Sequence, residues 1–240
     1  MAKDSGLAKG GAAHIWDLPT RLFHWLFAAL IIFAYFSAEG DSAFNEWHMI
    51  AGYGVTILLA FRIAWGFVGG EYARFASFLK LDHLAAHIGQ MFRLRVDPTA
   101  GHNPLGGLAV LLMLLLAGAT VLTGIVLKGE EPHEDFGKVM IILAGLHVIA
   151  VFVMSLLSRE NLPRAMVTGK KAVSATHPWK DGRGASARGW ILALAVTAAS
   201  AAAILANDPQ AFTPRPTESR EAGEHQGQAE QGGEVEADED

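Results

Sequence analysis

Two histidines, His133 and His147, lie 14 residues apart in one long apolar segment that runs to Leu157. In an α-helix, 14 steps bring the second side chain to within roughly 40° of the first and about 21 Å further along the axis. Both imidazoles then lie on one face, one near each side of a hydrocarbon core about 30 Å thick. This spacing suits two b haems stacked across a membrane, each taking one axial imidazole from this helix and one from another.

A second interpretation stands beside the haem hypothesis. A single histidine within a membrane span is more often a packed, hydrogen-bonded core residue than a metal ligand. Ionisable groups inside a membrane are nevertheless costly, so each is a candidate for function. The haem hypothesis therefore depends on partner histidines at matching depths, and the apolar segments near the start of the chain contain two, His24 and His48.

The composition indicates an integral membrane protein. Hydrophobic residues make up 51% of the 240-residue chain, and its ten histidines are accompanied by no cysteine. Without cysteine there can be no disulfide, no cysteine-ligated iron–sulfur cluster and no thioether-linked haem. Any metal cofactor must use histidine, methionine or carboxylates. Lipid is an expected partner, and nucleic acid is not.

Five apolar runs are long enough to be membrane spans. They cover Leu22–Ala38 (beginning as early as Pro19), His48–Val68, Leu105–Leu127, His133–Ser158 and an Ala-rich fifth run, Gly189–Ala206. Between the second and third spans, Leu81–Met91 has the periodicity of a short amphipathic helix at the membrane surface. His83 and His87 are spaced as helical metal ligands can be, although a solvated polar face explains them better.

The distribution of lysine and arginine predicts the orientation. The loops 71–103 and 159–188 contain four and seven of these residues, whereas Glu39–Trp47 contains none. Cytoplasmic loops carry an excess of positive charge. The sequence therefore predicts a bacterial inner-membrane protein with a cytoplasmic N-terminus and, after five spans, a periplasmic C-terminal tail.

This orientation sorts the histidines by depth into two pairs. The first span enters from the cytoplasm, so His24 lies near that face. The second and fourth spans enter from outside, which places His48 and His133 near the outer face and His147 about 21 Å deeper. We call His24 and His147 the inner pair, and His48 and His133 the outer pair. Each pair is predicted to supply the two axial ligands of one haem iron.

Arginines are candidates for the haem carboxylates. Arg62 lies 14 residues after His48 and so shares its face at the level of the inner pair. We expect Arg62, with Arg21 as a second candidate, to contact the inner propionates. Alternatively, Arg62 extends to the cytoplasmic interface. His102 could contact a propionate or a quinone, or cap a helix, whereas the remaining histidines lie in polar or terminal segments, namely His14, His177 and His225.

Several segments in order along the chain resemble a known family, the bacterial cytochrome b561 and NiFe-hydrogenase b-type cytochrome group. They are WDLPTRLFHW, WHMIAGYGV, FRIAWGFVG, GHNPLGG, the HE…LH pattern of the fourth span and RENLPRAMVTGKK. The resemblance implies a four-helix transmembrane bundle that binds two b haems and transfers electrons between the quinone pool and a redox partner. His24, His48, His133 and His147 fall on the family's ligand positions. One departure is Pro132 beside His133, which places this ligand in the first turn of its helix.

We therefore predict an all-α integral membrane protein in which the bundle is joined by a fifth transmembrane helix. The predicted divisions are a disordered N-terminus (1–13), a dihaem cytochrome b domain (14–171), a cytoplasmic linker (172–188), the fifth span (189–206) and a disordered acidic tail (207–240). The predicted function is electron transfer between the quinone pool and a redox partner, which is an oxidoreductase subunit or a periplasmic cytochrome. The acidic tail either steers a basic partner such as a soluble cytochrome or serves only as a solubilising, disordered end. Two alternatives are a non-redox anchor subunit and a histidine-lined transporter of protons or metals.

Overall fold

The fold is a bundle of apolar helices closed at one end by a small extramembrane unit. A computed structural model describes residues 11–39, 42–78, 89, 98–126, 131–173 and 178–215. The elements are β1 (Ala12–His14), α1 (Leu18–Ser37), α2 (His48–Val68), α3 (Phe75–Phe78), α4 (Pro104–Val126), α5 (Glu131–Ser158), α6 (Leu162–Thr168), β2 (Lys170–Ala172) and α7 (Ala187–Asn207).

Four long helices form a closed ring. Helix α1 packs on α2, α2 on α4, α4 on α5, and α5 returns to α1. Helix α7 packs along α2 on the outside of this ring. The arrangement confirms the predicted four-helix bundle with a fifth helix, and it leaves the space between α1, α2, α4 and α5 for the histidines.

The surface of the bundle suits lipid. Five helices of the described chain are long and apolar enough to cross a membrane. Large apolar side chains point away from the protein, including Phe67, which is 69% exposed, and Leu156, which is 78% exposed. A continuous apolar surface of this kind is stable against hydrocarbon and not against water. The chain is therefore a membrane protein.

The predicted spans agree closely with the helices. The second span was predicted at the bounds of α2, and the third and fourth spans agree with α4 and α5 to within two residues. Helix α1 begins at Leu18, with Pro19 in its first turn, so the earlier of the two predicted starts is correct. Apart from Gly89, the predicted amphipathic helix lies outside the described residues, as do His83, His87, His177 and His225. The tail predicted at 207–240 is described only as far as Arg215.

Helix α1 is fixed at its start by Asp17. One carboxylate oxygen of Asp17 accepts the backbone N–H of Thr20 at 2.9 Å, which caps the helix. The other oxygen accepts the indole N–H of Trp65 at 3.0 Å. Trp65 is only 1% exposed, and its ring lies 4.5 Å from that of Trp190. One carboxylate thereby links α1 to α2, and through Trp65 to α7.

A short antiparallel β-ladder closes the same end of the bundle. Strands β1 and β2 pair with Ala13 opposite Lys171. Gly169, at φ 79°, turns the chain out of α6, and its carbonyl accepts the N–H of Ile15 at 2.8 Å. We call β1, α6, β2 and the segment 178–186 the cap. The sequence analysis predicted no strand here, and β1 extends into the segment predicted to be disordered.

Helix α7 is held to α2 at both ends. Near its start, a side chain at Gly189 would place its Cβ 2.6 Å from the carbonyl oxygen of Val68, so glycine permits the close approach. At its other end, the Tyr53 hydroxyl donates to Asp208 at 2.9 Å. Asp208 also pairs with Arg215, whose backbone N–H donates to the Glu46 carbonyl at 3.0 Å. The fifth helix is thus an integral part of the bundle.

Candidate haem-binding site

The outer pair comes together at the end of the bundle away from the cap. His48 is the first residue of α2, and His133 lies in the first turn of α5. Their ring centroids are 5.9 Å apart and the ring planes are nearly perpendicular, at 85°. Metal–imidazole bonds of about 2 Å on opposite faces of one metal place the two ring centroids roughly 6 Å apart. The observed separation suits a single iron between the two rings.

Backbone carbonyls orient both outer imidazoles. Nδ1 of His48 donates to the Ala34 carbonyl on α1 at 2.9 Å. Nδ1 of His133 donates to the Thr120 carbonyl on α4 at 2.8 Å. Because a carbonyl only accepts, each Nδ1 carries the ring proton, which leaves the Nε2 lone pair available to a metal. Both rings are therefore in the tautomer that a haem ligand requires.

Gly124 makes room for His133 against α4. A Cβ built on Gly124 would lie 2.9 Å from both Cε1 and Nδ1 of His133. Real side chains do not approach so closely, so any larger residue would push the ring away from the Thr120 carbonyl. The role of Gly124 is not predicted by the periodicity of the span. The available signal was a glycine in the third span at the depth predicted for His133.

The inner pair lies nearer the cap, on α1 and α5. These two helices are in contact, and His24 and His147 lie on them at the predicted inner level. Nδ1 of His24 is buried and has no hydrogen-bond partner among the described residues. In contrast to the outer pair, no carbonyl in the described part of the chain orients this ring.

Arg62 accompanies the inner pair inside the bundle. Its side chain is 2% exposed, and its guanidinium carbon lies 5.9 Å from the ring centroid of Phe23 and 5.0 Å from that of Phe75. Nη1 of Arg62 is buried without a hydrogen-bond partner in the described structure. The side chain therefore stays within the protein instead of extending to the interface. A buried, unpaired donor of this kind is stabilised by an acceptor, and most strongly by an anion.

Arg21 is partly engaged by the cap. Its Nη2 donates to the Val167 carbonyl near the end of α6, where carbonyls lack helical partners. Its Nε is buried and unpaired within the described chain. Arg21 therefore lies between the cap and the bundle, with one donor still available.

His102 lies beside the inner pair in an aromatic setting. Its ring is 4.6 Å from that of Trp16 and 4.7 Å from that of Phe78, and its Nδ1 has no partner in the described residues. Burial, together with the positive charge of Arg62, lowers the pKa of His102 to about 3, so the ring is neutral at neutral pH. The residue that caps α4 is Asn103, whose Oδ1 accepts the N–H of Gly106 at 2.6 Å.

Comparison with known proteins identifies the family. The profile of the prokaryotic cytochrome b561 family matches residues 15–169, which include α1, α2, α4 and α5. The chain belongs to this family. The match ends before α7, so the fifth helix lies outside the part that defines a cytochrome b561.

The names of curated relatives agree with this family, since they describe b-type cytochrome subunits. The chain is 27% identical to the probable Ni/Fe-hydrogenase 1 B-type cytochrome subunit of Escherichia coli (strain K12), in a match covering 49% of this chain and 61% of that protein. It is 26% identical to the probable Ni/Fe-hydrogenase B-type cytochrome subunit of Azotobacter vinelandii, over 71% of this chain and 92% of the relative. The chain thus spans about three fifths of the Escherichia coli relative's length. No solved structure matches it.

A b-type cytochrome carries haem b, and the residues of this cytochrome b561 fit such a group. No cluster of three or more histidines and carboxylates able to hold a metal ion occurs in the described residues. The two histidines of the outer pair instead lie opposite each other, which would suit an iron that takes one protein ligand on each side. Beside the inner pair, the unpaired Arg62 and Arg21 nitrogens match the carboxylates that a haem carries.

Proposed function

We propose that this cytochrome b561 carries electrons through the membrane on two b haems, each held by two histidines. The outer haem is ligated by His48 and His133, and the inner haem by His24 and His147. The observation that supports this most strongly is the outer pair, in which two rings 5.9 Å apart each donate Nδ1 to a carbonyl. Two histidines that served only for packing would not need to lie opposite each other, and they would not need to carry the ring proton on the same nitrogen.

The protein residues would hold, orient and shield the cofactor. When bound, haem b supplies an iron that changes its charge by one electron. With two imidazoles as its protein ligands, the iron would relay electrons instead of binding oxygen. Arg62 and Arg21 are proposed to bind the inner propionates, and the apolar helices exclude water from both sites.

The electrons are proposed to pass between the quinone pool and a redox partner protein. The relatives' names describe hydrogenase cytochrome subunits, so an oxidoreductase subunit is one such partner, and a periplasmic cytochrome is another. We propose that the cap faces the cytoplasm of a bacterial cell and that the outer pair faces the periplasm. Exposed cations on the cap support this orientation, among them Arg164, Lys170 and Lys180.

Haem content per chain tests the proposal. The purified protein should show a b-type reduced-minus-oxidised spectrum with two haems per chain. Alanine at His48 or His133 should remove one haem, and alanine at His24 or His147 should remove the other. His14→Ala is the matched control, because His14 is exposed on β1 and should leave both haems in place.

The outcomes separate the hypotheses. One haem in the wild-type protein would retain the cytochrome function but remove one of the two pairs. A protein that binds no haem would exclude electron transfer and favour the anchor or transporter alternatives. Loss of haem in His14→Ala would show that the alanine substitutions act through folding.

A further inference from the structure

A cavity of about 300 Å³ opens where α2 ends and α7 begins. Val68 and Gly69 line it at the end of α2, residues 184–186 line it before α7, and Arg74 and Arg183 complete the lining. It lies apart from the histidine pairs, and the proposed electron transfer makes no use of it.

The charged side chains lining this cavity are both cations. Neither of the two acidic residues nearest in sequence, Glu71 and Asp181, lines it. Arg183 is paired with Glu71, at 3.4 Å from its Nε, and its side chain is 84% exposed. An exposed pair of this kind is weak. A guanidinium has five N–H donors, so Arg183 can also bind a second anion.

The cavity lies at the depth of lipid headgroups. Helix α2 ends at Val68 and α7 begins at Ala187, and both are spans of the bundle. Their ends mark the level where the hydrocarbon core meets the polar interface. A phosphate held there at the surface of a membrane belongs most simply to a lipid.

At the level of these helix ends, the outer surface of the bundle is apolar. Phe67, one residue before the end of α2, is 69% exposed, and Ile191, four residues after the start of α7, is 68% exposed. Cationic groups at the interface above an apolar helix surface match the two halves of a phospholipid.

We propose that this cavity binds the phosphate of an anionic phospholipid. Arg74 and Arg183 hold the headgroup, and the acyl chains lie along α2 and α7. The lipid thus bridges the bundle and the fifth helix. This site does not depend on haem binding or on the direction of electron flow.

Lipid retention tests the site. The full chain is purified in a mild detergent and incubated with phosphatidylglycerol or phosphatidylcholine, and bound lipid is counted by native mass spectrometry. The wild-type protein should retain phosphatidylglycerol in preference to phosphatidylcholine. The double variant Arg74→Gln/Arg183→Gln should lose about tenfold in apparent affinity for phosphatidylglycerol.

Two further variants control the experiment. Arg164→Gln/Lys180→Gln removes the same charge from exposed positions outside the cavity and should leave retention unchanged. Glu71→Gln removes the competing carboxylate and should increase affinity severalfold. Equal loss in both double variants would show a general charge effect and overturn the site.

Inorganic phosphate distinguishes a lipid site from a soluble anion site. If the cavity binds lipid, millimolar phosphate should not displace phosphatidylglycerol and should not raise the melting temperature. Phosphate that stabilises the wild-type protein as well as phosphatidylglycerol does, but not the Arg74→Gln/Arg183→Gln variant, would overturn the lipid proposal. So would equal retention of phosphatidylcholine.

Discussion

The outer and inner pairs each take one histidine from α5, yet their imidazole rings are held in different ways. The outer imidazoles donate to backbone carbonyls of neighbouring spans, Ala34 and Thr120. At the inner pair, Nδ1 of His24 has no such acceptor in the described chain. The buried Arg62 and the cap lie at the same end of the bundle.

The difference indicates two ways in which the proposed ligands are prepared. At the outer site the helices themselves set the tautomer, because the acceptors are main-chain atoms that no substitution removes. At the inner site the surroundings provide charge, through Arg62, and rigidity, through Asp17 and the cap. We therefore expect the outer site to be sensitive to helix spacing and the inner site to be sensitive to charge.

The largest expected effect is that of Gly124→Ala. The new methyl group would lie 2.9 Å from the His133 ring and displace it from the Thr120 carbonyl. Haem content should fall by about one per chain, and the remaining spectrum should be that of the inner haem. Gly118→Ala is the control, since its Cβ would meet only Leu59, at an ordinary 3.7 Å. Full haem content in Gly124→Ala would mean that helix spacing does not set the outer site.

Arg62→Gln should act on the inner site alone. A buried positive charge favours the reduced, less positive haem, so its removal should lower the inner midpoint potential by on the order of tens of millivolts. Redox titration followed optically would measure both haems, and Arg62→Lys should restore most of the shift. Equal shifts at the two haems would contradict the local role of Arg62.

Variants of Asp17 test how much the rigidity of the bundle near the cap contributes to holding the inner haem. Asp17→Asn keeps an oxygen to cap α1 but loses the acceptor of Trp65, at a cost of about 1 kcal/mol in the free energy of unfolding. Asp17→Ala loses the cap as well, at a further cost of about 1 kcal/mol. On heating, the inner haem should be released before the outer one in both variants. Simultaneous release would show that Asp17 stabilises the bundle as a whole.

The smallest effect is expected for Ser37→Ala. The Ser37 hydroxyl lies 3.4 Å from Nδ1 of His48 and also donates to the Ala34 carbonyl at 3.2 Å. Since that carbonyl alone orients the ring, haem content should not change, and stability should fall by at most about 1 kcal/mol. Loss of the outer haem in this variant would show that the Ser37 hydroxyl, and not the Ala34 carbonyl, orients the His48 ring.

The helices could be predicted from sequence because their determinants are local. A membrane span must satisfy its own backbone, so an apolar run of the right length is a helix wherever it lies. Helix α2 has the predicted bounds for this reason. The same regularity placed His133 and His147 on one face and allowed the two pairs to be proposed from depth alone.

The parts that escaped prediction depend on contacts between distant residues. Nothing near Asp17 in the sequence indicates its bond to Trp65, and nothing near Ala13 indicates its partner Lys171. The role of Gly124 depends on how closely α4 and α5 approach, which periodicity does not report. Such contacts are set by packing, not by local pattern.

The separation of β1 and β2 along the chain determines when they can pair during synthesis. Its two strands lie about 160 residues apart, so at a synthesis rate of about 5–20 residues per second β1 waits roughly ten to thirty seconds for its partner. The cap cannot close until α5 has entered the membrane and β2 has followed it. All four histidines of the two pairs have been synthesised by then, because His147 precedes β2 in the sequence. Closure of the cap is therefore a late step, and it seals the bundle on the side of the inner pair.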